Sequence, residues 1–87
     1  MTAETDPVTA RIRQLWRELL RIEQADAEAT FYELGGNSLL MVEMLVAITG
    51  TFECEIDYEA FLSAPSTANL ARLVNEALNS RRDQTIG

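Results

Sequence analysis

Histidine and lysine are both missing from this 87-residue chain, and cysteine occurs once, at Cys54. Without an imidazole or an amine, a serine hydroxyl has no ordinary general base beside it, which excludes a self-contained nucleophilic triad. A lone thiol cannot close an internal disulfide; it could serve as a ligand or a nucleophile, but the chain supplies no histidine and no second cysteine to work with it. Cys54 is therefore expected to be a buried or half-exposed spectator in a reducing compartment. Calcium-loop and phosphate-loop spacings are absent as well. No apolar run approaches the ~18 residues of a membrane span. The first residues lack the basic and apolar parts of a secretory signal, so the expected location is the cytoplasm.

Positive charge is also scarce. All seven bases are arginines, set against fourteen carboxylates for a net charge of −7. Residues 22 to 71 hold nine carboxylates and no base. Such a surface repels nucleic acid and anionic membrane and steers basic protein surfaces towards itself, while also serving solubility. Carboxylate pairs such as Glu53 and Glu55 fall on an expected connector, with nothing to make them an acid–base couple.

What the chain does contain is helical periodicity. At 47% hydrophobic and 24% charged it has the composition of an ordinary globular domain, and its length allows one small core. Residues 1–6 read as a flexible lead-in, 7–79 as the domain and 80–87 as a disordered tail. Asp6-Pro7 is an N-cap followed by proline at the first helical position. Val8, Ile12, Leu15, Trp16 and Leu19 then recur at helical spacing, so helix one is expected to reach about Ile22. Glu23 to Asn37 has no period. A loop of that length exceeds the usual ~4–6 residues, and long loops are often functional. Phe31 and Leu34 are its expected anchors.

Helix two follows, with Gly50 as its expected stop. Thr51 to Ile56 reads as a connector, since a lone strand would have no partner. Asp57 should cap a short helix from Tyr58 to Ala64 that buries Phe61 and Leu62. Pro65-Ser66 breaks and recaps, and Leu70, Leu73, Val74 and Leu78 mark a last helix that frays after Asn79. The expected fold is all-α: a small antiparallel four-helix bundle of three main helices and one short one, with the long loop between helices one and two.

The chain turns on Leu34-Gly35-Gly36-Asn37-Ser38-Leu39-Leu40. Two glycines permit a sharp turn, and either Asn37 or Ser38 can cap the helix that follows. In both cases the Ser38 hydroxyl sits at the positive end of a helix, where a phosphate is favoured by ~0.3–1 kcal/mol. At about 100° per residue, Met41, Met44 and Ile48 share one side of helix two, with Leu40 and Leu45 at its margins. Leu39, Val42 and Val46 cluster on another side with Glu43 beside them. A helix that is apolar all round should be enclosed, yet so short a chain has little to enclose it with, so this second stripe reads as a docking surface.

Phe31-Tyr32-Glu33-Leu34-Gly35-Gly36-Asn37-Ser38-Leu39-Leu40 resembles the core motif of peptidyl carrier proteins, the thiolation domains of nonribosomal peptide synthesis. The likeness in helix spacing extends from about residue 8 to residue 79. Asn37 departs from it, since His or Asp is usual before the serine. The resemblance implies a non-catalytic carrier whose Ser38 bears 4′-phosphopantetheine from coenzyme A, with Gly36 and Asn37 beside the attachment point. It implies a phosphopantetheinyl transferase, an adenylation enzyme and condensation or tailoring enzymes as partners. Leu39, Val42 and Val46 would dock them, with Glu43 pairing an Arg or Lys. A free-standing monomer in natural-product biosynthesis is the expected form, binding no metal, nucleic acid or membrane. An acyl carrier for polyketide or fatty acid chains stays open as an alternative. So does an acidic helical adaptor without any prosthetic group.

Overall fold

The computed structural model describes the backbone of residues 6–86 and the side chains of residues 6–80. Of the expected lead-in of residues 1–6, residues 1–5 lie outside the described residues, while Asp6 is the cap of the first helix. Four helices follow one another: α1 (Pro7–Leu20), α2 (Ser38–Phe52), α3 (Tyr58–Ser63) and α4 (Thr67–Ile86). Among the described residues there is no strand, only an isolated bridge between Thr30 and Ser66. The all-α helical bundle is the fold that the periodicity predicts.

Each helix start has a side chain that accounts for it. Asp6 Oδ1 accepts from the Val8 N–H at 3.1 Å, while Oδ2 takes the Thr9 hydroxyl and the Asn75 amide, each at 3.2 Å. The cap of α1 is thereby tied to the middle of α4. Asp57 caps α3 through the Ala60 N–H at 3.1 Å, and the Ser66 hydroxyl caps α4 through the Asn69 N–H at 3.2 Å. Asn69 also donates to the carbonyls of Ala60 and Ala64, at 3.1 and 2.9 Å, and so closes the end of α3. These bonds satisfy groups that a helix end leaves open.

The helix ends differ from expectation. α1 stops at Leu20 rather than Ile22, because Arg21 turns left-handed at φ 58° and the Ile22 N–H returns to the Arg17 carbonyl at 3.1 Å. Gly50 does not stop α2, which continues to Phe52 before Glu53 turns left-handed at φ 52°. Phe52 packs against the core, and that burial outweighs the ~1 kcal/mol cost of an internal glycine. On α3 only Phe61 is buried; Leu62 is 40% exposed. Successive helical residues point about 100° apart, and a six-residue helix lying on the bundle buries one side. Nor does α4 fray after Asn79: it stays helical to Ile86, across the stretch expected to be disordered. Arg81, Arg82, Asp83 and Gln84 include no helix breaker, and extending a formed helix costs far less than starting one.

The core gathers Ile12 and Trp16 from α1, Met41, Met44 and Ile48 from α2, Phe61 from α3, and Leu70 and Val74 from α4. Trp16 lies at its centre, edge-to-face with Phe31 at 5.0 Å and with Phe61 at 6.4 Å. Phe31 comes from the long loop, which is well tethered despite its lack of period. Arg13 Nε donates to the Ala25 carbonyl at 3.1 Å, the Ala68 N–H to that of Ala27 at 3.3 Å, and the Phe31 N–H to that of Pro65 at 2.7 Å. Cys54 is buried, as expected of a spectator.

Candidate functional site

The loop delivers Ser38 through one tight turn. Thr30 and Glu33 cap each other: the Thr30 N–H donates to Glu33 Oε1 at 2.8 Å, and the Glu33 N–H to Thr30 Oγ1 at 3.1 Å. The Thr30-x-x-Glu33 spacing is the capping-box signature, and it could have been found in the sequence. Leu34 N–H returns to the Thr30 carbonyl at 3.1 Å and Gly36 N–H to that of Phe31 at 2.9 Å, closing the turn. Gly35 then reverses the chain at φ 106°, a conformation open to few residues other than glycine.

The choice between Asn37 and Ser38 as cap resolves in favour of Asn37. Its Oδ1 accepts the Leu40 N–H at 2.9 Å, and its carbonyl takes the first helical bond from Met41 at 2.8 Å. Ser38 is thus the first residue of α2, exposed, with a hydroxyl that makes no hydrogen bond to another described residue. The Ser38 and Leu39 N–H groups precede the first intrahelical donors and lie at the positive end of the helix dipole. An exposed hydroxyl beside open donors suits an esterified phosphate, which needs both room and partial positive charge. No described carboxylate is hydrogen-bonded to the hydroxyl as a base would be.

Beyond the turn, α2 presents two faces. Met41, Met44 and Ile48 are buried. Leu39, Val42 and Val46 are exposed at 70, 56 and 66%. They stand one above another at i, i+3 and i+7, the spacing of a continuous stripe. Glu43, also exposed, is the one charged side chain in α2. The structure therefore brings Asn37, Ser38 and the apolar stripe together on one end and one side of the same helix. Gly36 is half-buried against Phe31 rather than open beside Ser38. Tyr58 and Leu62 of α3 add exposed apolar area that the pattern did not reveal, since a six-residue helix is too short to carry a legible period.

Residues 10–74 match the family model described as a phosphopantetheine attachment site. The chain belongs to that family of carrier domains. A probable non-canonical nonribosomal peptide synthetase, CymA of Salinispora arenicola, is 36% identical over 62 residues, 71% of this chain and 1% of the relative. Tyrocidine synthase 3 of Brevibacillus parabrevis is 27% identical over 75 residues, 86% of this chain and again 1% of the relative. The chain thus spans about one hundredth of the length of these two relatives. In fold it is similar to a chain in the solved complex of the phosphopantetheine transferase Sfp with coenzyme A and a peptidyl carrier protein. That likeness has a TM-score of 0.77 at 18% identity, covering 87% of this chain and 99% of the other.

Proposed function

We propose that this chain is a peptidyl carrier whose Ser38 Oγ bears 4′-phosphopantetheine and which serves nonribosomal peptide biosynthesis in the cytoplasm. The observation that carries this reading is the setting of Ser38: first residue of α2, exposed, with no hydrogen bond from its hydroxyl among the described residues, and held by a turn with little freedom. The relatives supply the pathway, and the residues supply the attachment chemistry.

In the attachment step the Ser38 oxygen attacks the phosphorus of coenzyme A that bears the pantetheine arm. The pyrophosphate bond breaks and adenosine 3′,5′-bisphosphate leaves. The serine proton goes to a base of the transferase, because this chain has neither histidine nor lysine, and magnesium binds on the transferase, because no cluster of three metal-ligating side chains occurs among the described residues. Asn37 keeps the first turn of α2 capped, and the Ser38 and Leu39 N–H groups offer donors to the phosphodiester. Once attached, the arm supplies a terminal thiol that holds an aminoacyl or peptidyl group as a thioester. The protein itself stays a substrate of other enzymes.

Leu39, Val42 and Val46 form the docking stripe, and Glu43 pairs an Arg or Lys of the visiting enzyme. Burying one such side chain is worth ~1.5–3 kcal/mol, and association costs offset much of it. Complexes with the transferase, the adenylation enzyme and the condensation or tailoring enzymes are accordingly weak and brief, with the carrier itself a monomer. Loading assays with amino-acid adenylation enzymes and with malonyl transferases separate the peptidyl reading from the polyketide and fatty acid one. An adaptor without a prosthetic group would take up no arm from coenzyme A and would be indifferent to Ser38→Ala.

A further inference from the structure

The two adjacent glycines of the turn are there for different reasons. Gly35 is in the left-handed region, and a Cβ built on it would meet nothing within 4 Å. Gly36 is the reverse: its φ lies outside that region, so the left-handed strain that excludes a side chain at Gly35 does not arise. What forbids alanine there is contact. A Cβ on Gly36 would overlap Cδ2 and Cε2 of the Phe31 ring and lie 2.9 Å from the Phe31 carbonyl oxygen. That same carbonyl accepts the Gly36 N–H at 2.9 Å.

Phe31 has little room to yield. It is fully buried, its ring meets Trp16 edge-to-face at 5.0 Å, and its N–H is held by the Pro65 carbonyl at 2.7 Å. We propose that Phe31 and Gly36 form a steric lock that sets the position of Ser38. The ring is the floor on which the backbone of Gly36 rests, and the chain climbs from there through Asn37 to the first turn of α2. Both are positioning residues. Gly36 acts through close approach to Phe31, and the Phe31 ring transmits the packing of α1 and of the α3–α4 link to the serine. This inference rests on the carrier reading, since it concerns how Ser38 is presented to a transferase.

The test is the steady-state kinetics of coenzyme A-dependent modification by a broad-specificity phosphopantetheinyl transferase. The parent is compared with Gly36→Ala, Phe31→Leu and the double variant, with thermal unfolding measured alongside. A misplacement of about 1 Å can cost on the order of 100-fold, so Gly36→Ala should lower kcat by about tenfold or more. KM should stay near the parental value, because the α2 stripe is untouched. Phe31→Leu removes ring carbons from beneath Gly36, so the double variant should be faster than Gly36→Ala alone. Recovery will be partial, since the Phe31 carbonyl remains. Non-additivity of this sign marks two residues that act through one contact.

The lock is overturned if Gly36→Ala is modified at the parental rate, or if the double variant is no faster than Gly36→Ala. Should Gly36→Ala unfold, Phe31→Leu alone decides. It leaves the residues of the Gly35–Ser38 turn intact, and the lock predicts a lower kcat at unchanged KM; an unchanged kcat refutes it. A parent that gains no mass refutes the carrier reading and the lock with it. A parent that is modified while the variants behave independently refutes the lock only.

Discussion

α1 and α2 press on the same core, but their outward faces differ. α1 turns Arg11, Gln14 and Glu18 to solvent, where water covers them at no cost. α2 turns out Leu39, Val42 and Val46, whose exposure gains nothing for the isolated domain. One face of α2 obeys folding and the other does not. The lesson is that a helix can be read twice, once for the core it completes and once for the surface that the fold leaves unexplained. In the proposed function that second surface receives visiting enzymes, and it begins beside Ser38.

Substitutions on the two faces should separate these roles, and the stability effects fall in a clear order. Trp16→Ala, which removes the ring joining α1 to Phe31 and Phe61, should cost ~3–5 kcal/mol and leave little folded protein, as denaturant melts would show. Asn37→Ala removes the α2 cap and should cost ~0.5–2 kcal/mol; Asn37→Asp, which keeps the accepting oxygen, should lose much less. Gly50→Ala should go the other way and stabilise by ~0.5–1 kcal/mol, because Gly50 is helical, exposed and has open space around its Cα. Leu39→Glu should leave stability within about 0.5 kcal/mol of the parent. Its effect should fall instead on the KM for the transferase. A large loss of stability in Leu39→Glu, or an unchanged KM, would erase the distinction between the two faces.

Most of the fold was legible because helical period survives in a small domain. Met41, Met44 and Ile48 lie where the spacing puts them, and so do the exposed Leu39, Val42 and Val46. Asp6, Asp57 and Ser66 cap the helices they precede, since capping is a local matter. What could not be read depends on residues distant in sequence. Gly50 looks like a stop until Phe52 is seen to pack on the core. Leu62 looks buried until the short α3 is laid on the bundle with Phe61 inward. The long loop shows its side-chain anchors, Phe31 and Leu34, but not its backbone bonds to Pro65 and Ala68. At the site itself, Gly-Gly-Asn-Ser announced a turn and a cap. The collision that makes Gly36 a glycine involves a ring five residues earlier and could not be inferred from the motif.

The central claim is that Ser38 is an attachment point. Intact mass after incubation with coenzyme A, magnesium and a broad-specificity phosphopantetheinyl transferase tests it most directly, with Ser38→Ala in parallel. The account predicts a gain of one phosphopantetheine in the parent and none in a variant that melts at the same temperature. Uptake of the same mass by Ser38→Ala, or no uptake by the folded parent with several transferases, would contradict it.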